Sequence, residues 1–578
     1  MNAIPHLTYP KHTLDQYGLS LDDRAWLDKY LTEHAPIQGL LRSGYLQMLK
    51  AHGKFDANQA LIKFHKRMRR RDLWLSMDDA RLRDWCEAKA RHCRLTVSRR
   101  DSDPIRNQKH ICELLNAYGI EFPLQVSATL ELACFDPFEV AYAKLSDSGW
   151  WRRQVRTLQR REQEEYARLS GIVHSRGQIY CSDQNVRARQ EQKKRNRMLL
   201  SELEATNELG ESFTLEELAD LSVSNPKIRR AELMVRIAGF EEYAERLGYV
   251  AEFYTITCPS RFHRKTIIRD KRGNVLGVKD NGNYRSASVR DAHDYLVSVG
   301  SRIRSALQRR DIPVFGFRVA EPHHDGCPHW HYLLFLGSDS VDECRDVFRS
   351  YALADSPFEK GASEHRFKYE PIDKRRGSAA GYIAKYISKN IDGHGVEADL
   401  YGHDAEVSAN RIDAWASVHG IRQFQQIGGP SVTVWRELRR LDEQEPGTLE
   451  TARIAADTAN WADYCELMGS GRAQPIRPCY WQELDTATGE VSPVTNKYGE
   501  PVVGRLFGLL WGELEAVCTR FYSWTIDRVR SAFKPNLTDS ISRVKSGTRM
   551  LFGVPVPVGV CGANAPPWSS VNNCTRVT

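Results

Sequence analysis

The sequence lacks three features that would place it outside a reducing compartment or in a membrane. Its 13 cysteines form no C-x-x-C pair, and their scatter from Cys86 to Cys574 does not fit a disulfide framework; its N-terminus lacks the basic start and apolar core of a signal peptide. No apolar run approaches the ~18 residues that a membrane span needs. These absences argue against a disulfide-stabilised secreted protein and a membrane protein. We therefore expect a cytoplasmic protein with reduced cysteines.

One group of cysteines and histidines in the N-terminal part is a weak zinc candidate. Its spacing fits no standard ligand pattern, and small buried thiols in helical packing explain it better. The group comprises Cys86, His92, Cys93, His110 and Cys112.

The chain is too long for a single core, because 578 residues exceed the usual size of one domain. Helical spacing, a Ser/Gly break near residue 146 and a later change to alternating strands predict four segments. These are a helical region of unassigned role at 1–145, a basic helical DNA-binding segment at 146–245, an α+β domain at 246–440 and an accessory region at 441–578, whose end from about Gly553 is a loose tail.

The positive charge is concentrated, although the net charge is only +8. Residues 151–200 hold 13 Lys/Arg against 5 Asp/Glu, and the aromatic pair Trp150–Trp151 opens this basic segment. Cations mixed with aromatics are typical of single-strand binders, although a solvated helix face explains the same charges. Downstream, Thr214 and Glu217 form a capping box before two predicted helices, a helix-turn-helix outline that fits either DNA docking or a scaffold.

Short alternating strands are predicted at 252–258, 314–321 and 329–336, with a helix at 287–309. Strands with interleaved helices, a hairpin and no long buried parallel runs predict an α+β fold. In this fold, helices flank a central antiparallel sheet.

The predicted hairpin carries a candidate metal site. Alternation places His329 and His331 on the same face of one strand, and an antiparallel partner would place Glu321 across from His329. Two imidazoles, one carboxylate and open positions suit a catalytic divalent ion. Two half-buried strand histidines remain the structural alternative. Further candidate ligands in the loop are His323, His324, Asp325 and Cys327.

A predicted helix from about Ser378 carries Tyr382 and Tyr386, four residues apart and therefore on one face. Ile383 and Ile387 point about 100° away and can bury against the sheet. A phenol has a pKa near ~10, so as a nucleophile it needs a nearby cation or a metal-organised electrophile. Lys385 can supply that cation. The pattern predicts tyrosines that attack a phosphodiester.

Three stretches together resemble the motifs of the HUH endonucleases, and more closely the bacteriophage replication gene A protein family of rolling-circle initiators. They are Phe253–His263, Glu321–His331 and Tyr382–Asn390. The resemblance implies a central antiparallel sheet with helices on one side. It also implies Mg²⁺ or Mn²⁺ on His329 and His331, with the two tyrosines as nucleophiles.

The same resemblance implies an activity and partners. The protein would nick single-stranded origin DNA, keep the 5′ phosphate on tyrosine and leave a 3′ hydroxyl for synthesis. Host replicative helicase and DNA polymerase would then act with it. An HUH relaxase or transposase shares this chemistry, although relaxases commonly place the tyrosine before the histidines. A non-enzymatic origin-binding or repressor protein is the other alternative, but it leaves the tyrosine–lysine face unexplained.

Overall fold

The computed structural model describes residues 18–97, 104–121, 137–391 and 405–529, with short gaps inside the last two ranges. These gaps are residues 271, 273–274, 376, 470–473, 482, 485–490, 493 and 513–514. The predicted loose tail from Gly553 lies outside the described residues.

The N-terminal part is helical, as predicted, and has its own hydrophobic core. That core includes Leu27, Leu41 and Leu61 and also Trp151 of the predicted basic segment, all fully buried. The elements are α1 (Leu21–Glu33), α2 (Gln38–His52), α3 (Lys54–Met68), the ribbon β1 (Arg69–Arg70) and β2 (Leu73–Trp74), α4 (Asp79–Val97), α5 (Pro104–Asn116), α6 (Pro137–Leu145) and α7 (Ser148–Leu169).

The basic segment contains a long exposed helix, a small hairpin and the predicted helix pair. The Thr214–Glu217 capping box is present, and the second helix buries Leu233, Ile237 and Phe240. That burial favours the scaffold interpretation of the pair, because this face is not available for DNA. The elements are α8 (Asp183–Ser201), β3 (Leu203–Asn207), β4 (Ser212–Thr214), α9 (Leu215–Asp220) and α10 (Pro226–Arg246).

The middle of the chain forms a five-stranded sheet with helices, which confirms the α+β prediction. Its strands run in the order β10-β5-β9-β8-β11, and every neighbouring pair is antiparallel. The elements are β5 (Val250–Thr257), the ribbon β6 (Lys265–Arg269) and β7 (Val275–Asp280), α11 (Val289–Arg309), β8 (Phe315–Pro322), β9 (Pro328–Leu336), α12 (Val341–Leu353), α13 (Ala362–His365), β10 (Phe367–Pro371), α14 (Ala379–Ile391), α15 (Ala405–His419) and β11 (Phe424–Ile427).

The C-terminal part adds three helices and several short strands. Strand β17 pairs with β3, so the predicted accessory region and the predicted basic segment share a sheet. The elements are α16 (Val432–Leu438), α17 (Thr448–Asp457), α18 (Trp461–Met468), β12 (Ile476–Tyr480), β13 (Glu483–Leu484), β14 (Val491–Ser492), β15 (Leu506–Trp511), β16 (Glu515–Cys518) and β17 (Trp524–Arg528).

Helices cover both faces of the five-stranded sheet. Phe253 and Leu333 pack with α10 and α14, whereas Tyr254 and Trp330 pack with α11, α12 and α15. The one-sided arrangement implied by the resemblance is therefore wrong for this chain. The physical reason is that apolar side chains occupy both sets of alternating positions on β5 and β9, so both faces need a cover.

None of the helices in the described part of the chain combines the length and apolar character needed to cross a bilayer.

Gly316 on β8 provides a test of this sheet. Its φ is +150°, and a Cβ there would lie 2.0 Å from the Leu333 carbonyl oxygen on β9. We expect Gly316→Ala to lower the free energy of unfolding by roughly 2–4 kcal/mol, through backbone strain and overpacking. Urea unfolding measures the change.

Gly39→Ala is the matched control, because a Cβ at Gly39 on α2 would have nothing within 4 Å. We expect it to leave the stability unchanged or slightly raised, as Ala favours a helix over Gly. Equal losses in the two variants would contradict the described register of β8 and β9.

Candidate metal and tyrosine site

The β8–β9 hairpin brings the predicted metal ligands together. In its register Glu321 pairs with His329 and Pro322 with Pro328, which confirms the predicted antiparallel pairing. The loop between the strands is held from outside, since Trp415 Nε1 donates a hydrogen bond to the Gly326 carbonyl oxygen at 2.8 Å. The positions of the ligands are therefore set by two paired strands rather than by a free loop.

The three side chains converge on one point. The Nε2 atoms of His329 and His331 lie 2.9 Å apart, and Glu321 Oε2 lies 3.9 Å from His331 Nε2. Within the described residues, these three form the only group of three or more His, Cys, Asp or Glu whose ligand atoms all lie within 4.8 Å of one another. The group has the donor set of a two-histidine, one-carboxylate metal site.

Burial keeps the two imidazoles neutral. It lowers the pKa of His331 to about 4 and that of His329 well below its usual value, and the positive charge of Lys389 acts in the same direction on both. A neutral imidazole has a free ring-nitrogen lone pair. Both rings are therefore ready to bind a cation at neutral pH without first losing a proton.

Two neighbours orient the histidine rings. Thr255 on β5 contacts His331 Nδ1 through its hydroxyl at 2.9 Å, which directs Nε2 toward His329. The His323 ring stacks on the His329 ring, with centroids 4.1 Å apart. Such outer contacts fix the tautomer and orientation of metal-binding histidines.

The other loop candidates are engaged elsewhere or lie outside the group of three. Asp325 pairs with His263 at 2.9 Å. Burial alone would raise the pKa of Asp325, but the His263 charge outweighs it and holds that pKa well below its usual range. Cys327 is fully buried, and burial raises its pKa well above the usual value. Neither His323 nor His324 joins the group, and neither does the N-terminal zinc candidate.

Helix α14 presents the two tyrosines to the hairpin. Ile383 and Ile387 are buried, as predicted, and fix the helix against the sheet. Tyr382 and Tyr386 are half-buried rather than free, because both rings contact Phe253. The helix spacing of four residues therefore places both phenols along one line beside the histidines.

Tyr386 is the tyrosine nearer the candidate metal ligands. Its ring centroid lies 4.6 Å from that of His331 and 5.3 Å from that of Phe253. Burial, followed by the negative charge of Glu321, raises the pKa of Tyr386 above its usual value. The phenol is therefore neutral at neutral pH.

Tyr382 lies one turn earlier and has a proton acceptor. Its hydroxyl donates a hydrogen bond to Glu370 Oε2 on β10. Burial and this bond raise the pKa of Tyr382 to about 12. Glu370 is thus positioned to receive the phenolic proton.

The two lysines of α14 differ sharply in their surroundings. Lys385, the predicted helper, is exposed. Lys389 is buried, and its Nζ lies 3.2 Å from Glu321 Oε2, over the Tyr180 ring. Tyr180 itself has a left-handed backbone, with φ at 66°, a strained conformation that is more common at functional sites.

Asn390 completes the contacts to the carboxylate, since its side-chain amide donates to Glu321 Oε1. Each carboxylate oxygen still has a lone pair for a cation, although the Lys389 charge competes with one. The donor set therefore fits a divalent ion, with Lys389 as a neighbouring positive charge.

Sequence reasoning missed several of these residues. Asn390 lies four positions after Tyr386, so helical periodicity places it on the tyrosine face and could have identified it. Thr255 alternates with Phe253 on β5, but its pairing with β9 is a tertiary fact. No local signal links Glu370 to Tyr382.

Comparison with known proteins gives a consistent family signal. A family model described as bacteriophage replication gene A protein matches residues 89–394, which include all the site residues described above. The chain is 36% identical over 475 residues to the replication gene A protein of Escherichia phage 186, covering 79% of this chain and 63% of that protein. No solved structure matches the chain.

Two further relatives have related names. The replication protein of Haemophilus phage HP1 is 35% identical over 451 residues, or 75% of this chain and 53% of that protein. A probable replication endonuclease from a prophage-like region of Salmonella paratyphi A is 33% identical over 465 residues, or 76% of this chain and 53% of that protein. The chain thus spans between about half and two thirds of the length of these relatives.

The contrast between the two lysines yields a stability prediction. We expect Lys389→Met to lower the free energy of unfolding by about 3–5 kcal/mol, because it removes a buried partner of the Glu321 carboxylate. Lys385→Met, on the exposed side of the same helix, should change it by less than ~0.5 kcal/mol. Urea unfolding of both variants checks this, and equal effects would contradict the assigned burial.

Proposed function

This chain belongs to the bacteriophage replication gene A protein family, and from that premise we propose that it is a site-specific endonuclease and strand transferase that initiates rolling-circle replication of phage DNA. The observation that carries the proposal is the meeting of three candidate metal ligands with a tyrosine ring 4.6 Å from one of them. The substrate is single-stranded origin DNA, and the products are a 5′-phosphotyrosine adduct and a free 3′ hydroxyl.

The proposed metal site consists of His329, His331 and Glu321. A bound Mg²⁺ or Mn²⁺ would supply positive charge that polarises the scissile phosphate. Imidazole suits manganese better than magnesium, while the carboxylate suits both. Thr255 and His323 hold the imidazoles in orientation, and Asn390 fixes the rotation of the carboxylate.

In the first transfer, the Tyr386 oxygen forms a bond to phosphorus while the bond from phosphorus to the 3′ oxygen breaks. The phenol gives up its proton to solvent, the departing 3′ oxygen takes one from solvent, and the 5′ phosphate stays on tyrosine. We assign this step to Tyr386 because its ring contacts His331, whereas Tyr382 lies one turn further along α14.

In the second transfer, the Tyr382 oxygen forms a bond to the phosphorus of a new junction, the bond from that phosphorus to its 3′ oxygen breaks, and Tyr382 passes its proton to Glu370, to which it already donates a hydrogen bond. The released 3′ oxygen then forms a bond to the phosphorus held on Tyr386, and the Tyr386 oxygen leaves and regains a proton. The phosphotyrosine bond retains the energy of the phosphodiester, so rejoining needs no external source. Lys385 is exposed beside the tyrosines. We propose that it neutralises the phosphate as the strand is exchanged.

DNA beyond the site can contact helix α8. Arg187 and Lys194 on it are exposed, whereas Arg189 and Lys193 form ion pairs with Asp413. Exposed cations such as Arg187 and Lys194 suit a phosphate backbone. Recruitment of host replicative helicase and DNA polymerase remains a proposal from the family.

The rival functions explain less of the site. A relaxase or transposase would use the same chemistry but does not account for the replication family to which this chain belongs. A non-enzymatic origin-binding or repressor protein has no use for a tyrosine ring that contacts one of two histidines whose Nε2 atoms lie 2.9 Å apart.

We expect the chain to form a denaturation-resistant adduct with labelled single-stranded origin DNA. Tyr386→Phe should remove the adduct of the first cleavage, because the nucleophile beside the histidines is lost. Tyr382→Phe should retain that first adduct but lose the second transfer. Gel electrophoresis under denaturing conditions measures both.

Tyr369→Phe serves as the control, since Tyr369 is a partly exposed tyrosine on neighbouring β10. Wild-type protein without an adduct, or an adduct that survives the double Tyr382→Phe/Tyr386→Phe change, would disprove the proposed mechanism.

The metal role has its own test. We expect EDTA, His329→Ala and His331→Ala each to abolish cleavage. We expect Thr255→Val to weaken Mn²⁺ binding by roughly 10- to 100-fold, because it frees the His331 ring. Isothermal titration with Mn²⁺ measures the affinity.

Thr257→Val is the matched control, because the Thr257 hydroxyl donates to the His365 carbonyl rather than to a ligand. Cleavage that persists in EDTA would rule out the metal, and equal losses in the two threonine variants would rule out the orienting role of Thr255.

A further inference from the structure

A cavity opens beside the strand end that carries the candidate metal ligands. It has a volume of about 450 Å³, within the usual range for small-molecule sites, and Ser260, Asn283 and Phe358 line it. Ser260 follows Thr257 by three residues, and Thr257 pairs with His329. Three residues of chain span at most ~11 Å, about the length of three stacked nucleotides at ~3.4 Å each.

Phe358 is the most exposed large apolar side chain in the described residues, at 99% of its full accessible surface. Burying such a ring would normally stabilise the fold by about 1.5–3 kcal/mol, so its exposure is costly in the free chain. An exposed aromatic face is what single-strand binders offer to a nucleobase, and stacking tolerates any base.

The cations around the cavity are arranged for phosphate. Arg285 and Lys360 are exposed, and neither has an ion pair within the described part of the chain. The charges nearby are already matched. Arg261 pairs with Asp355 at 2.6 Å, and Glu359 pairs with Arg366. The cavity rim therefore has two uncompensated positive charges next to one aromatic ring.

Backbone strain occurs on both sides of this cavity. Ser286, next to Arg285, has φ at 54°, and Ser356, two residues before Phe358, has φ at 53°. Residues other than glycine rarely adopt this left-handed backbone conformation. Those that do cluster where a loop must hold a ligand-binding shape.

We propose that this cavity binds a nucleotide of the single-stranded DNA substrate, a few nucleotides from the scissile phosphate. The base stacks on Phe358, and Arg285 and Lys360 contact the flanking phosphates. This deepens the proposed nuclease function and rests on it for the identity of the strand. Ser260 and Asn283 also line the cavity, and the Asn283 side-chain amide donates a hydrogen bond to the Ser260 hydroxyl at 3.3 Å.

The test measures binding apart from cleavage. The full chain with Tyr382→Phe and Tyr386→Phe is titrated against two 5′-fluorescein strands, an oligothymidine and a base-free phosphodiester chain of equal length, and fluorescence anisotropy gives the Kd. Phe358→Ala should weaken oligothymidine binding by roughly 5- to 150-fold, the effect of one lost base stack. It should leave binding of the base-free chain unchanged.

The cation variants should behave differently. The double variant Arg285→Ala/Lys360→Ala should weaken the binding of both strands. It should also reduce the slope of log Kd against log salt by roughly 1.4, about 0.7 for each lost phosphate contact. Phe358→Trp should retain oligothymidine affinity, because it keeps an aromatic face.

Two controls match these changes elsewhere on the surface. Phe521→Ala removes another exposed phenylalanine, 60% accessible, and should leave Kd unchanged. Arg309→Ala removes an exposed arginine at the far end of α11, a 21-residue helix about 30 Å long. This variant should also leave Kd unchanged.

The proposal is overturned if Phe358→Ala stays within twofold of its parent on oligothymidine. It is also overturned if Phe358→Ala weakens the binding of both strands equally, or if Phe521→Ala loses as much oligothymidine affinity as Phe358→Ala does. Adduct formation is not a readout here, so the two proposals can fail separately. If the wild type forms no adduct, the proposed nuclease function is wrong. If the adduct forms normally but the Kd values do not change in the variants, only the proposed role of the cavity is wrong.

Discussion

The Glu321 carboxylate joins the two halves of the candidate site. It is 1% exposed, lies opposite His329 in the hairpin, and receives Lys389 and Asn390 from helix α14. A buried carboxylate is tolerated only when its charge is paired and its oxygens are hydrogen-bonded. That requirement fixes the rotation of α14 about its own axis, and the rotation in turn determines that Tyr386 faces the histidines.

The sheet gives this arrangement its rigidity. The candidate ligands and Thr255 lie on three adjacent strands, β8, β9 and β5, each paired along its length and covered by helices on both faces. Sites built on paired strands hold their geometry better than sites on loops. A tyrosine on a helix that packs against that sheet therefore meets the histidines without a large rearrangement, which would reduce the entropy cost of the proposed reaction.

Much of this geometry follows from periodicity, which is a local property. Alternation along one strand was enough to place His329 and His331 together, and helix spacing was enough to bury Ile383 and Ile387. The partners of the lysines were not predictable in the same way. Lys385 and Lys389 differ by one turn, yet one is exposed and the other buried, because the difference depends on how α14 is rotated against a carboxylate distant in sequence. Glu370 has no local signal at all, since it reaches the site only through the pairing of β10 with β5.

Strand β17 is synthesised long after β3, the strand with which it pairs. It completes a sheet with β3, and hydrogen bonds in that pair join residues 319 positions apart. A ribosome adding ~5–20 residues per second reaches β17 roughly 16–64 s after β3 has been made. During that interval β3 has only β4 as a neighbour, and its other edge exposes unpaired backbone groups. The edge of β3 is therefore where the nascent chain has the longest opportunity to pair with a wrong strand.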